Sequence, residues 1–457
     1  MNRRTFVLGG AVSPFWIVRG AERRPNILLI ITDQQSWDAL SCRIGPRYLK
    51  TPNMDSLAAT GMFFRRAYCA NPLCVPSRTS MFTGRYPPET GVQINDTTPI
   101  DHNRFPVMGT LFKQAGYSTV YFGKWHLPFP EARRETHGFD VVNPGRLKGD
   151  TAVAAAAAGF LREKPREPFL AVVSLVNPHD ICQWARGEPL PNGDIGAPPP
   201  PDQCPPLRTN HAPQKNEPDI MTLMRRSYQS SPMFPVGNFT PGKWRQYIWA
   251  YYRLVEKVDG LIGNVLDGLR RAGLEERTVV VLLADHGDCQ GAHGWNQKTV
   301  FYEEAARVPL IISYKGVTRP SVSDRLVHTG VDLIPTLLSF AGLPAPKELP
   351  GLSLYETAVG KKVADPRSYL VVCNKMVQGA PVEGRVPMPE GRMVRSQRYK
   401  YCIYSEGERR ESLVDLEKDP GEMVNLAADP AYQDILRKHR AMLAEWARAV
   451  GDKAGLL

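Results

Sequence analysis

Residues Asn26–Thr32 read NILLIIT, and Asp33 and Gln34 follow at once. A run of apolar residues that ends in a polar turn is typical of a strand buried on both faces of a sheet. Similar runs recur along the chain, with helix-like stretches between them. This alternation predicts an α/β sandwich in which helices cover a central sheet. The further strand candidates are Ser118–Phe122, Phe169–Val176, Thr278–Ala284 and Val308–Ser313.

The stretches between these runs are longer and amphipathic, which predicts helices. Past Gly342 the pattern changes, and we expect a smaller α+β domain at residues 365–457, after a main domain at residues 22–345. Its predicted elements are strands at Leu370–Cys373 and Tyr399–Tyr404 and a helix at Pro430–Val450. The helix candidates of the main domain are Asn53–Thr60, Ser77–Thr83, Thr110–Ala115, Ala152–Glu163, Trp244–Ala272 and Val331–Ala341.

Residues Pro189–Pro213 contain nine prolines, four of them consecutive at Pro198–Pro201. Because proline lacks an amide N–H, this segment cannot be a regular helix or a central strand, and we predict a long loop. Long loops in compact domains are often functional. We therefore expect the proline-rich insertion at residues 181–245 to lie near a functional site.

The 457-residue chain carries a formal net charge of +11. It has no long Lys/Arg run with interleaved aromatic residues, which argues against nucleic acid as a partner. A basic surface suits an anionic substrate, although a soluble surface that happens to be basic would have the same composition. No stretch after the N-terminal segment is long and apolar enough to cross a bilayer, so we expect no stable membrane insertion.

The N-terminal segment Asn2–Val12 reads NRRTFVLGGAV. A charged start with a twin arginine and a short apolar run is typical of an export signal. We expect residues 1–21 to be a twin-arginine or Sec signal, cleaved near Ala21, and the protein to be periplasmic or secreted. A disordered cytosolic tail is the alternative.

The chain has eight cysteines, and none of them forms a CxxC pair, which argues against a zinc ribbon or a thioredoxin-like site. An even number of cysteines in an exported protein permits disulfides without specifying them. Cys182 and Cys204 flank the proline-rich loop and are the first pair to test.

Four strand candidates run directly into unusual polar residues. Ligands of open α/β sheets bind at the carboxyl ends of the strands, so these side chains are expected to converge on one site. The four strand ends are Thr32-Asp33-Gln34, Gly123-Lys124-Trp125-His126, Asn177-Pro178-His179-Asp180 and Asp285-His286-Gly287-Asp288.

Each of these residues alone has an ordinary structural explanation. Asp33 could cap a helix, His126 and His179 could be structural histidines, and Lys124 and Lys298 could simply be solvated. Their joint occurrence at strand ends favours a functional site.

The motif that indicates the chemistry is Cys74–Arg78, CVPSR, followed by TSMFTGR at residues 79–85. Pro76 suits the first position of a helix. Cys74 is therefore predicted at a helix N-terminus, where the dipole and the free amides favour an anion. Arg78, one turn later, can hold a tetrahedral oxyanion bidentately. A buried cysteine before a helix is the structural alternative.

With this motif the sequence resembles the formylglycine-dependent, type I sulfatases of the alkaline-phosphatase-like superfamily. The resemblance implies a large, mixed, mostly parallel central sheet sandwiched by helices, with residues 22–345 as the catalytic domain and a smaller α+β C-terminal domain. It covers nearly the whole chain after the signal, apart from residues 181–245. The matching stretches are Asn26–Asp33, Thr51–Asp55, Cys74–Arg85, Gly123–His126, His137–Asp140, Asp285–Lys298, Tyr302–Ile311 and Asp415–Glu422.

In this family a maturase oxidises the cysteine of C-x-P-S-R to formylglycine, and the resemblance implies that modification at Cys74. One hydroxyl of the hydrated aldehyde attacks sulfur, the alcohol leaves, and the second hydroxyl expels sulfate. The resemblance thus implies a sulfatase. Its expected partners are a formylglycine-generating maturase and a sulfated small molecule or oligosaccharide.

The resemblance also implies a divalent cation, Ca²⁺, held by Asp33, Gln34, Cys74 as formylglycine, Asp285 and His286. Many members of the family have a second Asp where this chain has Gln34, and Asn where it has His286. Because these departures change the charge and the donor type, Mg²⁺ and Mn²⁺ stay open as alternatives.

The remaining catalytic positions that match are Arg78, Lys124, His126, His179 and Lys298. Lys124 and Lys298 would neutralise charge that develops on the sulfuryl oxygens. His126 would orient or deprotonate the hydrate, and His179, with Lys298, would protonate the leaving oxygen.

Lys124, His179 and Lys298 are also the expected substrate-binding residues. His293 could contact the substrate or could equally be structural. The spacing from Asp285 to Lys298 is similar to that of sulfatases acting on sulfated glycans, which is an analogy with the family.

Two other functions stay open. A phosphonate monoester or phosphodiester hydrolase on the same scaffold would bind the same kind of tetrahedral anion, although the full set of Lys124, His126, His179 and Lys298 favours sulfate. A non-catalytic binder of sulfated glycans would keep Cys74 as a thiol, and the intact catalytic set argues against it.

Overall fold

The computed structural model describes residues 23–142, 148–364 and 367–457. The predicted export signal at residues 1–21 lies outside the described residues. The strands are β1 (Asn26–Asp33), β2 (Met62–Tyr68), β3 (Ser118–Gly123), β4 (Asp140–Val142), β5 (Phe169–Pro178), β6 (Thr278–Ala284), β7 (Arg307–Val308), β8 (Leu310–Ser313), β9 (Ser321–His328), β10 (Tyr369–Lys375), β11 (Glu390–Ser396), β12 (Tyr399–Tyr404) and β13 (Glu411–Asp415).

Five of the α-helices in the described residues have eleven residues or more, and these five account for most of the helical length. They are α1 (Ser41–Ile44), α2 (Pro52–Thr60), α3 (Cys74–Thr83), α4 (Pro87–Thr90), α5 (Met108–Gln114), α6 (Arg134–His137), α7 (Asp150–Arg162), α8 (Ile181–Arg186), α9 (Asp219–Gln229), α10 (Pro241–Arg271), α11 (Glu303–Ala306), α12 (Thr329–Phe340), α13 (Tyr355–Ala358) and α14 (Gln433–Val450).

The larger sheet has the strand order β4-β3-β5-β1-β6-β8-β2-β7, and β9 pairs with β2. Its central strand β1 runs parallel to both β5 and β6, whereas β8 joins β6 antiparallel. The sheet is therefore mixed and mostly parallel, and the predicted α/β fold class is confirmed.

Strand β1 is buried along its whole length, and its side chains alternate between two hydrophobic cores. Ile27, Leu29 and Ile31 face one core, which α3, α5 and α12 complete. Leu28 and Ile30 face the other core, which α2, α7 and α10 complete. Burial on both faces explains why the strand is an uninterrupted run of apolar residues.

Strands β10–β13 form a separate four-stranded antiparallel sheet. Helix α14 packs on it through Leu436, Leu443 and Trp446. The predicted smaller α+β part is confirmed, although its helix begins at Gln433 instead of Pro430 because Pro430–Tyr432 forms a 3₁₀ turn.

Two local predictions were wrong. Helix α3 begins at Cys74, so Pro76 is its third residue instead of its first. The predicted strand Val308–Ser313 is broken at residue 309 into β7 and β8, because Pro309 cannot donate a ladder hydrogen bond.

The insertion at residues 181–245 is more structured than the sequence predicted. Its proline-rich part is a loop with one 3₁₀ turn at Pro201–Gln203, but the insertion also contains α8, α9 and the start of α10. All eight cysteines are free, so Cys182 and Cys204 do not form a disulfide. In the described part of the chain, no helix combines the length and the apolar composition needed to span a bilayer.

Candidate active site

Two buried carboxylates leave the sheet side by side at the carboxyl ends of β1 and β6. Thr32 and Ala284 are paired in the parallel ladder, and the next residues are Asp33 and Asp285. The Asp285 N–H donates to the Thr32 carbonyl at 3.2 Å. The register of the two strands therefore sets the separation of the carboxylates.

Strand β3 delivers Lys124 to the same edge. Gly123 ends the strand with φ 93°, and a Cβ there would lie 2.1 Å from the Ser174 carbonyl oxygen. Only glycine allows β3 to end so close to β5. The Lys124 N–H then donates to the same carbonyl at 3.0 Å, and the Lys124 ammonium forms an ion pair with Asp33.

Arg78, on the second turn of α3, contacts both carboxylates. Its Nε donates to Asp285 Oδ2 at 2.8 Å, and its Nη2 lies 3.4 Å from Asp33 Oδ2. Its Nη1 donates to Ser174 Oγ at 2.8 Å and to the Lys124 carbonyl at 3.2 Å. Every guanidinium nitrogen is thus engaged with the protein. The bidentate hold of Arg78 on a substrate oxyanion stays a prediction.

Cys74, the first residue of α3, is buried at the centre of the cluster. Its Sγ lies 3.1 Å from Lys298 Nζ and 3.2 Å from His286 Nε2. Asp33 Oδ1 is 3.9 Å from the same sulfur. The thiol occupies the place that an oxidised side chain at residue 74 would take.

Four side chains form a group that could hold a metal ion. One ligand atom from each of Asp33, Cys74, Asp285 and His286 lies within 4.8 Å of the others, and all four residues are buried. His286 Nδ1 lies 3.0 Å from the Gly287 carbonyl, which fixes the ring so that Nε2 faces the group. Two carboxylates and an imidazole nitrogen suit a divalent cation.

Gln34, the fifth predicted metal ligand, forms hydrogen bonds with both ends of its side-chain amide. Its Oε1 accepts a hydrogen bond from Lys298 Nζ at 2.9 Å, and its Nε2 donates to Asp288 Oδ2 at 2.8 Å. Its backbone N–H donates to Asp285 Oδ1 at 3.1 Å. Gln34 thus links Lys298 to a buried carboxylate outside the metal group.

The charges of the cluster favour an anion at residue 74. Burial and Asp33 oppose ionisation of Cys74, but Lys124, Lys298 and His286 outweigh them and lower the pKa of the thiol well below its ordinary value. Burial also opposes ionisation of Asp33, yet Lys124, His179, Lys298 and Arg78 hold the pKa of this carboxyl well below its usual range.

His126 and His179, which follow β3 and β5, are both half-buried. Burial first, and then the nearby Lys298, lower the pKa of His179 to about 3, so its imidazole is neutral in the site. His126 has a left-handed backbone with φ 50°, and its buried Nδ1 has no hydrogen-bond partner in the part of the chain that the structure describes.

His293 lies apart from these residues. Its ring is fully buried and stacks on Tyr302, with centroids 3.8 Å apart. Its Nε2 lies 3.4 Å from Asn210 Nδ2. These contacts agree with the structural alternative that the sequence left open for His293.

Sequence reasoning assigned no role to Asp288 and Ser174. Asp288 holds the Gln34 amide, and Ser174 accepts from Arg78. Asp288 could have been found as the second carboxylate of the Asp285-His286-Gly287-Asp288 turn. Ser174 gives no signal, because it lies inside the apolar strand β5 and approaches Arg78 only after folding.

Comparison with known proteins identifies the family to which the chain belongs. A family model described as Sulfatase matches residues 25–343 of the chain. The chain belongs to the sulfatase family. A second model, described as N-sulphoglucosamine sulphohydrolase, C-terminal, matches residues 291–449. As a sulfatase, the protein is a sulfuric ester hydrolase.

Among its relatives, this sulfatase is 32% identical over 455 residues to the Delta 4,5-hexuronate-2-O-sulfatase of Bacteroides thetaiotaomicron, with 93% of this chain and 89% of the relative covered. The solved structure of a 2-O GAG sulfatase superposes with a TM-score of 0.80 at 29% identity, covering 95% of this chain and 94% of the other. The phosphonate monoester hydrolase of Agrobacterium radiobacter shares the fold, with a TM-score of 0.71 at 21% identity and coverage of 94% and 96%.

Proposed function

We propose that this sulfatase hydrolyses the sulfate ester of a sulfated carbohydrate, with formylglycine at residue 74 as the source of the nucleophile and a divalent cation beside it. The observation that carries the proposal is the surroundings of Cys74. Lys298 Nζ, His286 Nε2 and Asp33 Oδ1 approach its sulfur at 3.1, 3.2 and 3.9 Å. An ammonium, an imidazole and a carboxylate thus surround one buried sulfur atom.

Oxidation of Cys74 to formylglycine would supply a hydrate with one hydroxyl to attack sulfur and a second to release sulfate. The chain's own residues prepare that position. Lys298 and Lys124 stabilise negative charge there, as the lowered pKa of the thiol indicates. His126, whose Nδ1 has no hydrogen-bond partner among the described residues, has a free nitrogen with which to orient or deprotonate the hydrate.

Asp33, Asp285, His286 and residue 74 would hold the cation. A bound cation would supply positive charge that stabilises the sulfuryl oxygens and the nucleophile. We propose Ca²⁺, because the carboxylates and an oxidised residue 74 are hard oxygen donors. Mg²⁺ and Mn²⁺ accept the same donors, and the imidazole of His286 suits Mn²⁺ better than Ca²⁺.

Two lysines would provide most of the stabilisation of the negative charge that develops on the sulfuryl group. The Lys124 ammonium is partly exposed and bound on one side to Asp33. Lys298 is buried, and although burial opposes its charge, Cys74 and Asp33 raise its pKa above the ordinary value. Arg78 acts indirectly, since its guanidinium holds the two carboxylates in place.

The leaving alcohol of a sugar needs a proton. His179 is neutral in the unliganded site because of its low pKa, whereas Lys298 is protonated. We therefore assign the proton to Lys298 and an orienting role to His179. This division revises the expectation that His179 is the first proton donor.

The relatives suggest the substrate class. The names of the 32% identical relative and of the 29% identical structure both specify 2-O-sulfated substrates. We propose a 2-O-sulfated, unsaturated hexuronate as the substrate. The export signal predicted at residues 1–21 would place this hydrolysis outside the cytoplasm. The likeness to the phosphonate monoester hydrolase supports the fold alone. Phosphonate esters are the second candidate, because their hydrolysis on the same scaffold involves the same kind of tetrahedral anion.

The test is a panel of substrates for the chain co-expressed with a formylglycine-generating maturase. Sulfate release is measured from a 2-O-sulfated unsaturated hexuronate and from glucosamine 6-sulfate, and phosphonate release from a phenyl phosphonate ester. The proposal expects the first substrate to have the highest kcat/KM. A higher kcat/KM on the phosphonate ester would favour a phosphonate monoester hydrolase instead. Absence of turnover, together with an unmodified Cys74 thiol in mass spectrometry, would favour a non-catalytic binder of sulfated glycans.

A further inference from the structure

Asp288 is a buried carboxylate whose neighbours all donate hydrogen bonds to it. Gln34 Nε2 donates to Oδ2 at 2.8 Å, and the Gln290 N–H donates to Oδ1 at 2.8 Å. The Tyr247 hydroxyl lies 3.2 Å from Oδ2. Asp288 does not belong to the four-residue metal group.

This arrangement decides which way the Gln34 amide points. A carboxylate that only accepts can be satisfied by the amide nitrogen of Gln34 and not by its oxygen. The oxygen is then turned to the opposite side, where it accepts from Lys298 Nζ at 2.9 Å. The reversed amide would place its oxygen against the Asp288 carboxylate and its NH₂ against the Lys298 ammonium, which are two repulsive contacts in place of two hydrogen bonds.

Lys298 Nζ in turn lies 3.1 Å from Cys74 Sγ. We propose that Asp288 is a positioning residue: it fixes the Gln34 amide with its oxygen toward Lys298 and thereby aims the Lys298 ammonium at residue 74. The inference rests on the proposed function in one respect, namely that Lys298 serves the chemistry at residue 74. Residues that orient a catalytic group in this way typically change activity by about 10- to 100-fold when they are altered.

Two single substitutions each disrupt the hydrogen bonding between Gln34 and Asp288, and the combination of the two restores it. Asp288→Asn offers one oxygen and one NH₂ where Gln34 and Gln290 both donate, so one donor loses its acceptor. Gln34→Glu sets two carboxylates against each other. In Gln34→Glu/Asp288→Asn, the Asn NH₂ donates to one Glu oxygen, its own oxygen accepts from Gln290, and the second Glu oxygen still faces Lys298.

A matched control is another buried carboxylate that accepts hydrogen bonds from an amide, at the contact between α10 and α2. Asp259 on α10 accepts from the Asn53 amide at 2.9 Å and from the Met54 N–H at 2.8 Å. Asp259→Asn removes a comparable set of bonds between α10 and α2. It should lower stability without a specific loss of kcat.

The experiment measures kcat on the sulfated hexuronate, bound metal and the thermal unfolding midpoint for wild type, both single variants, the double variant and Asp259→Asn. It repeats Asp288→Asn in a Lys298→Ala background. We expect each single variant to lose about 10- to 100-fold in kcat, with bound metal unchanged in Asp288→Asn. The double variant should recover most of that loss, and Asp288→Asn should have little further effect when Lys298 is absent.

Any of three results would overturn the inference. The first is a loss of kcat in the double variant equal to the product of the two single-variant losses. The others are an equal effect of Asp288→Asn with and without Lys298, and loss of bound metal in Asp288→Asn. Failure of the proposed function is distinguishable, because the matured wild type, with formylglycine verified by mass spectrometry, would then release no sulfate. In that case the pairing is still tested by the unfolding midpoints, which the singles should lower and the double variant should restore.

Discussion

Arg78 Nε lies 2.8 Å from Asp285 Oδ2, and neither side chain has any exposed surface. The same guanidinium reaches Asp33 Oδ2 at 3.4 Å. One buried arginine on α3 thus holds both carboxylates of the group that could bind a metal ion. The integrity of the site depends on this contact before any substrate binds.

We expect Arg78→Ala to destabilise the fold strongly, because it leaves two buried carboxylates without their partner. Removing one member of a buried ion pair typically costs about 3–5 kcal/mol in the free energy of unfolding. Urea unfolding measures the loss. Arg226→Ala is the control, since Arg226 forms an exposed ion pair with Glu383 and should change stability little. Equal losses in the two variants would contradict the structural role of Arg78.

Asp285→Ala should remove both the bound cation and the activity. Asp285 offers one of two carboxylates in the metal group, and no described neighbour outside that group replaces its charge. Elemental analysis beside the rate of sulfate release checks the prediction, with Asp259→Asn as the buried-carboxylate control. Full metal occupancy in Asp285→Ala would mean that Asp285 is not a ligand.

Lys298→Ala and His179→Ala should differ in their dependence on the leaving group. A sugar alkoxide needs a proton as the S–O bond breaks, whereas a nitrophenolate hardly does, and general acid catalysis typically contributes about 10²–10⁴-fold. Since Lys298 carries the proton in our assignment, Lys298→Ala should lose much more on a sugar sulfate than on nitrophenyl sulfate. His179→Ala should lose similarly on both. The reverse pattern would return the acid role to His179.

The contribution of Glu422 to the stability of the protein should fall between acidic and neutral pH. Burial raises the pKa of Glu422 to about 7 from an ordinary 4.5, and Glu303 and Glu304 add to the shift while Lys400 opposes it. Between these two pKa values the folded chain keeps a proton that the unfolded chain releases. This contribution to stability is therefore complete below pH 4.5 and is lost as the pH rises through 7.

Urea unfolding at about pH 5 and about pH 8 measures this dependence. Glu303 does not titrate in that window, because Lys400 and Arg307 overcome the effect of burial and lower its pKa to about 2. Glu422→Gln should reduce the loss of stability between the two pH values. An unchanged difference in Glu422→Gln would assign the pH dependence to other groups.

The main features of the fold could be predicted from the sequence because β1, β5 and β6 are buried on both faces and are therefore nearly uninterrupted apolar runs. Strands β2 and β9 could not. Strand β2 carries Arg65 and Arg66 in its middle, and β9 begins with exposed residues. Their pairing with each other depends on contacts that no local pattern reveals.

The convergence of Asp33, Lys124, His179 and Asp285 could be predicted, since each lies at or just after the carboxyl end of a strand of one sheet. The contacts within it could not. Whether Arg78 faces a substrate or the two carboxylates depends on the packing of α3 against the sheet. The direction of the Gln34 amide depends on Asp288, which is distant in sequence.

The central claim is that residue 74 supplies the nucleophile of a sulfatase. The most direct measurement is sulfate release from a 2-O-sulfated unsaturated hexuronate by wild type, Cys74→Ala and Cys402→Ala, each co-expressed with the maturase. Cys402 is a buried free cysteine on β12 of the smaller sheet, so its replacement controls for the loss of a thiol. The account predicts turnover by wild type and Cys402→Ala and none by Cys74→Ala at an unchanged unfolding midpoint, whereas a near-wild-type rate in Cys74→Ala would contradict it.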